Sequence, residues 1–205
     1  MPLGIATRSF LNDPHCGDQA ACWRSGSRTT LCIVDGLGHG PEAEAAAQAA
    51  VDYVAQRLSE SLLAIFAGCD LALRNSRGAA MGLAAIAEET GTLTYAGVGN
   101  TRAIIIRGIA PAGREARPFA QIVRLSSYPG IVGGGYQALV PQTVPFLPGN
   151  IALLFTDGLP ESMDLAGYGP DVWSNEQHLA ERIVRDWGRE TDDVAVLVYR
   201  RKLNK

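Results

Sequence analysis

The chain has 205 residues, 47% of them hydrophobic, and a formal net charge of −3 from 18 lysines and arginines against 21 aspartates and glutamates. That balance, with no basic stripe on any segment, argues against a nucleic-acid partner. No apolar run reaches the length of a membrane span and residues 1–10 lack the apolar core of a secretion signal, so a cytoplasmic protein without membrane association is expected.

The length predicts a single domain over residues 1–205, large enough to bury a substantial core. Cys16, Cys22, Cys32 and Cys69 form no C-x-x-C pair and read as ordinary reduced cysteines. The first predicted elements are strands at Gln19–Arg24 and Thr29–Val34 around a Gly26-Ser27 turn of type II′. Such a two-residue turn sets the register and places Asp18 opposite Asp35.

Pro41 suits a first helical position, and Glu42 and Glu44 are favourable in the first turn. Ala43, Ala46, Ala47, Ala50, Val51, Val54 and Leu58 then share one helical face. A second helix is expected over about Glu60–Asn75, with Gly68 as its weak spot. Strands follow at Ala79–Ala87, Thr92–Val98 and Arg102–Arg107, then a Gly/Pro/charge-rich hairpin loop over 108–118. Further strands are expected at Gln121–Leu125, Ala138–Val144 and Ile151–Thr156. Ser174 with Gln177 predicts a helix N-terminus, Leu179, Ile183, Val184 and Trp187 a buried face, and Gly188 a C-cap. A last strand starts at Val194; if antiparallel to 151–156, it puts Asp192 beside Asp157. Strands in blocks between helices, without strict β-α alternation, predict an α+β fold with largely antiparallel sheet.

The carboxylates carry the chemistry. Asp35 and Asp157 each close an apolar strand and precede a glycine, Asp192-Asp193 opens the last strand, and Asp18 follows Gly17. Aspartate is a poor strand residue, and several at strand ends repel one another unless a hard divalent cation offsets the charge. Either Asp-Gly alone reads as an ordinary turn; the set together reads as a metal-dependent hydrolase.

Gly17-Asp18, Val34 through Gly40, Arg77-Gly78-Ala79-Ala80, Gly97 through Arg102, Phe155 through Leu159 and Asp192-Asp193-Val194 run in order over nearly the whole chain. On these pieces it resembles the type-2C metal-dependent serine/threonine protein phosphatases, in particular their small bacterial branch and its stressosome members. The resemblance implies a four-layer α-β-β-α sandwich with two mainly antiparallel sheets. It also implies two Mn²⁺ or Mg²⁺ ions: Asp35 between them, Asp157 and Asp192 on one, Asp18 and the Gly36 carbonyl on the other. Asp193 and Asn100 would stand behind these ligands. Phosphorylated STAS-domain scaffold proteins are the implied partners, and a monomer or weak dimer the expected state.

Three positions depart from the family pattern. Leu37 stands where many relatives carry a histidine, leaving His39 as the candidate proton donor. Asn100 replaces an aspartate of a further metal site. No arginine near the N-terminus matches the family's phosphate binder, so Arg8 and Arg28 are unranked candidates. Two other readings compete: a catalytically silent phosphoprotein-binding module, and an ATP-binding kinase-like domain suggested by Asp35-Gly-Leu-Gly-His-Gly40.

Overall fold

A computed structural model describes residues 2–107 and 121–202. The expected 108–118 loop lies outside the described residues. In chain order the elements are β1 (Leu3–Arg8), a 3-10 turn (Phe10–Asn12), β2 (Asp18–Ser25), β3 (Arg28–Gly36), α1 (Pro41–Ala55) and α2 (Leu62–Ala72). Next come β4 (Ala79–Ala87), β5 (Thr92–Val98), β6 (Arg102–Arg107), β7 (Gln121–Leu125), β8 (Gly130–Ile131) and β9 (Gly135–Tyr136). The chain continues with β10 (Gln142–Pro145), β11 (Ile151–Phe155), α3 (Pro170–Trp173), α4 (Glu176–Trp187) and β12 (Val194–Arg200).

Two five-stranded sheets form, ordered β1-β12-β11-β6-β7 and β10-β5-β4-β3-β2, with every neighbouring pair antiparallel. They meet face to face. Alternation along β3 shows how: Leu31 and Ile33 enter the core between the sheets, while Cys32 and Val34 face α1 and α2. A third core joins the outer face of the first sheet to α3 and α4 through Leu153, Phe155, Leu179 and Ile183. Fully burying each such side chain stabilises by about 1.5–3 kcal/mol. The α+β, four-layer expectation is met. Among the described residues no helix is long and apolar enough to cross a membrane.

The β2–β3 hairpin has the expected register. Asp18 faces Asp35, Gly26 takes φ 59°, and Ser27 has no positive φ, as a type II′ turn requires. The alanine stripe of α1 is fully covered, with Ala43, Ala46, Ala47 and Ala50 at most 1% exposed; its small side chains seat the helix close to the sheet.

Several expectations need correction. The second helix spans only 62–72, and Gly68 is a contact point: a Cβ there would collide with the Tyr53 hydroxyl. The strand expected at 138–144 is confined to Gln142–Pro145. Helix α4 is capped by Asn175, whose side chain accepts from His178 N at 3.0 Å, while the Ser174 hydroxyl turns to the Asp171 carbonyl. Strand β1 and helix α3 had no periodic signal. β1 is held by pairing with β12 and by Gln177, whose amide bonds Ile5 N and O.

Candidate metal centre

Asp35 continues the row of Leu31 and Ile33 to the end of the inter-sheet face, and its cross-strand partner Asp18 lies on the same face. Directly opposed like charges repel. Strands β11 and β12 bring their tips to the same end: Thr156 N donates to Ala195 O at 3.1 Å, so Asp157 and Asp192 follow at one edge.

The electrostatics confirm that these carboxylates share a neighbourhood. Burial is the main cause that pushes the Asp18 carboxyl well above its usual range, and Asp18 is only 4% exposed; the charges of Asp35, Asp193 and Asp192 add to it. Asp35 is raised to about 7, first by burial and then by Asp157, Asp192 and Asp193. Asp192 is raised by burial and by Asp157. Acids from both sheets thus feel one another across the rim, each paying for a charge that water solvates poorly there.

Neutral and backbone groups hold the cluster in place. The Asn100 amide donates to Asp157 Oδ2 at 2.7 Å, and its polarity partly offsets the upward push on Asp35, so one side chain steadies acids of both sheets. The fully buried Thr156 hydroxyl donates to Ala195 O at 3.3 Å and accepts from Ala195 N at 2.9 Å, and its polarity partly offsets the upward push on Asp18. Asp193, 2% exposed, accepts from Phe10 N at 2.6 Å and Gly17 N at 2.7 Å. It anchors both the N-terminal turn and the segment leading to Asp18.

This donor set suits hard divalent cations, which take carboxylate and carbonyl oxygens. Acids raised first by burial and then by one another's charge are what a cation would relieve, and Asn100 Oδ1 is buried without a partner among the described residues. The acids line a rim without closing on a point: among the described residues no three His, Cys, Asp or Glu side chains cage an ion by themselves. Mg²⁺ tolerates so open a set because it keeps several of its own waters.

Other expected residues fare differently. His39 is exposed on the loop after Asp35, its ring 5.5 Å from that of Phe10, with no imidazole hydrogen bond to the acids among the described residues. Arg28 is at the wrong end of β3: it pairs with Ser25, donates to Glu60 O, and lies roughly 24 Å of strand from Asp35. Arg8 is at the rim end of β1, donating to Arg189 O at 2.7 Å. The absent Cβ of Gly36 makes room for the Ala43 carbonyl of α1, a packing demand the sequence reading did not anticipate.

Three residues were missed. Thr156 was legible only as part of a motif, because its role depends on β12. Arg77 ion-pairs Glu42 and donates to the His39 carbonyl at 3.4 Å, bracing the Gly38–Gly40 loop. His15 Nδ1 lies 2.6 Å from Glu44 Oε2, a contact between a loop and a helix that no local pattern announces.

Residues 25–202 match the family model described as Stage II sporulation protein E (SpoIIE). The chain belongs to the SpoIIE family of PP2C-type phosphatases. It is 30% identical over 144 residues to phosphoserine phosphatase RsbX of Bacillus subtilis, covering 70% of this chain and 67% of that one. A chain solved in work on the bacterial stressosome as a modular system controlling secondary messenger signaling superposes with TM-score 0.83 at 29% identity, over 97% and 98% of the two chains. RsbX in complex with magnesium gives TM-score 0.74 at 22% identity, over 96% and 92%. The PP2C domain of SpoIIE from Bacillus subtilis gives 0.75 at 17%, over 99% of this chain and 63% of that one. Membership makes this SpoIIE-family chain an enzyme of the serine/threonine phosphatase class, in a family that depends on metal.

Proposed function

We propose that this chain removes phosphate from phosphoserine or phosphothreonine of a phosphoprotein, and that its substrates are phosphorylated STAS-domain proteins of a stressosome-type or anti-anti-sigma pathway. The observation that carries the reading is the rim itself, where Asp18 and Asp35 of one sheet face Asp157 and Asp192 of the other, bridged by Asn100. Similarity to phosphoserine phosphatase RsbX and to a stressosome chain supports the substrate class. The whole of residues 1–205 is read as one catalytic unit.

Asp35 would stand between two ions, with Asp157 and Asp192 on one and Asp18 and the Gly36 carbonyl on the other. Mn²⁺ or Mg²⁺ bound there supplies charge neutralisation and a water acidified enough to attack phosphorus in line. The chain's own residues do the remaining work. Asn100 keeps Asp157 and Asp35 oriented, and Asp193 fixes the backbone on which Asp18 rides, the kind of support that commonly controls affinity 10- to 100-fold. His39, exposed at the rim, is the residue from which the leaving serine oxygen would take its proton.

Hydrolysis of a chromogenic phosphomonoester and of phosphorylated STAS-domain proteins, with Mn²⁺, with Mg²⁺ and with chelator, tests this. Turnover should require metal and fall at least 1,000-fold in Asp35→Asn, roughly 4 kcal/mol of transition-state stabilisation. Activity that survives both chelator and the substitution would refute the mechanism.

A further inference from the structure

The rim continues into a groove. A cavity of about 530 Å³ begins at Asn100 and runs past Arg102, Ile104 and Phe155 to Arg124 and Glu161. A smaller one of about 70 Å³ shares Ile104, Phe155, Arg124 and Glu161 and carries the channel on to Asp164. Its floor is the outer face of β6 and β7, its wall the segment after Asp157. Helix α4 lies over β1 and β12, toward the opposite edge of the same sheet.

Length and charge suggest the occupant. Arg124 is paired with Ile104, two residues into β6 and four along from Asn100, so its backbone lies at most roughly 13 Å of chain from the rim. Four residues of an extended peptide span that distance. Arg102 already holds a carboxylate, that of Glu161; Asp164, which accepts from Ala166 N, leaves a negative charge only at the distal end, beyond Arg124. Arg124 is exposed and has no ion-pair partner among the described residues. Apolar floor, polar mouth and one uncommitted cation suit a polypeptide with an acidic side chain.

We propose that this groove takes the extended flank of the phosphorylated substrate, with an acidic residue about four positions from the phosphoserine paired to Arg124. This rests on the phosphoprotein reading above but does not depend on the STAS-domain assignment. Arg124 is then a specificity residue and takes no part in the chemistry.

The test uses synthetic phosphoserine peptides with Glu, Ala or Lys four positions to either side of the phosphoserine, assayed with metal-loaded wild type and with Arg124→Glu. Wild type should prefer Glu over Lys on one side by roughly two- to fivefold in kcat/KM, expressed in KM, the swing expected of an exposed ion pair. Arg124→Glu should invert the order. Because each preference is a ratio within one enzyme, partial misfolding cancels. Wild type indifferent to the flank, or a variant that keeps the wild-type order, overturns the proposal. So does failure to cleave any peptide by enzyme that hydrolyses a chromogenic phosphomonoester. Failure on STAS-domain proteins alone, with the peptide preference intact, counts against the substrate assignment and supports the groove.

Discussion

Asp35 illustrates what a functional residue costs its fold. Burial and the neighbouring acids raise its carboxyl to about 7, against an ordinary value near 3.8, so between those two pH values the native state binds more protons than the unfolded chain. Stability from this residue is therefore lost as pH rises from about 4 to about 7. Metal-free Asp35→Asn should melt higher than metal-free wild type at pH 8, and the gap should shrink toward pH 5. Thermal unfolding of the two proteins across that range checks it; a gap independent of pH would mean that the charge is not strained. The Asp-Gly punctuation at strand ends made Asp35 and Asp157 legible, and the hairpin turn located Asp18. Arg28 was misjudged because proximity in sequence says nothing about which end of a strand a side chain occupies.

Element boundaries were legible where a local rule sets them and not elsewhere. A two-residue turn leaves β2 and β3 one sensible register, so the Asp18–Asp35 pairing followed from chemistry within the hairpin. The Ser174-to-Gln177 spacing pointed to Ser174 as the cap of α4, but Gln177 is drawn to Ile5 on β1 and the task falls to Asn175. Asn175→Ala should cost about 1 kcal/mol, while Ser174→Ala, at an exposed hydroxyl, should stay within about 0.5 kcal/mol. Denaturant unfolding of both variants decides between the two caps. Strand β1 has a weak pattern of its own and exists because β12 offers an edge, a tertiary cause invisible in six residues. Gly36 shows two demands on one position, since the start of α1 excludes a Cβ there whatever the carbonyl binds.

At the scale of the molecule, the proposed centre joins the two sheets. Turn chemistry could place acids on one hairpin and on one strand pair, and the shared demand for a cation suggested that the two pairs meet, but which sheet faces which came from the family resemblance, because sheet stacking is decided by long-range packing. With acids of both sheets on one rim, a bound cation should stabilise the fold as a whole. At a hundredfold excess over its dissociation constant, Mg²⁺ should add about 2.7 kcal/mol to unfolding, visible as a single cooperative shift in Tm, and the same Mg²⁺ should move Asp35→Asn far less. A shift of equal size in both proteins would place the ion elsewhere.

Calorimetric titration of metal-free protein with Mn²⁺ bears most directly on the convergence of these acids. Two ions per chain are predicted for wild type, with both sites weakened together in Asp35→Asn because that carboxylate would serve each in the proposed centre. No saturable binding, or an Asp35→Asn titration that overlays wild type, would contradict it.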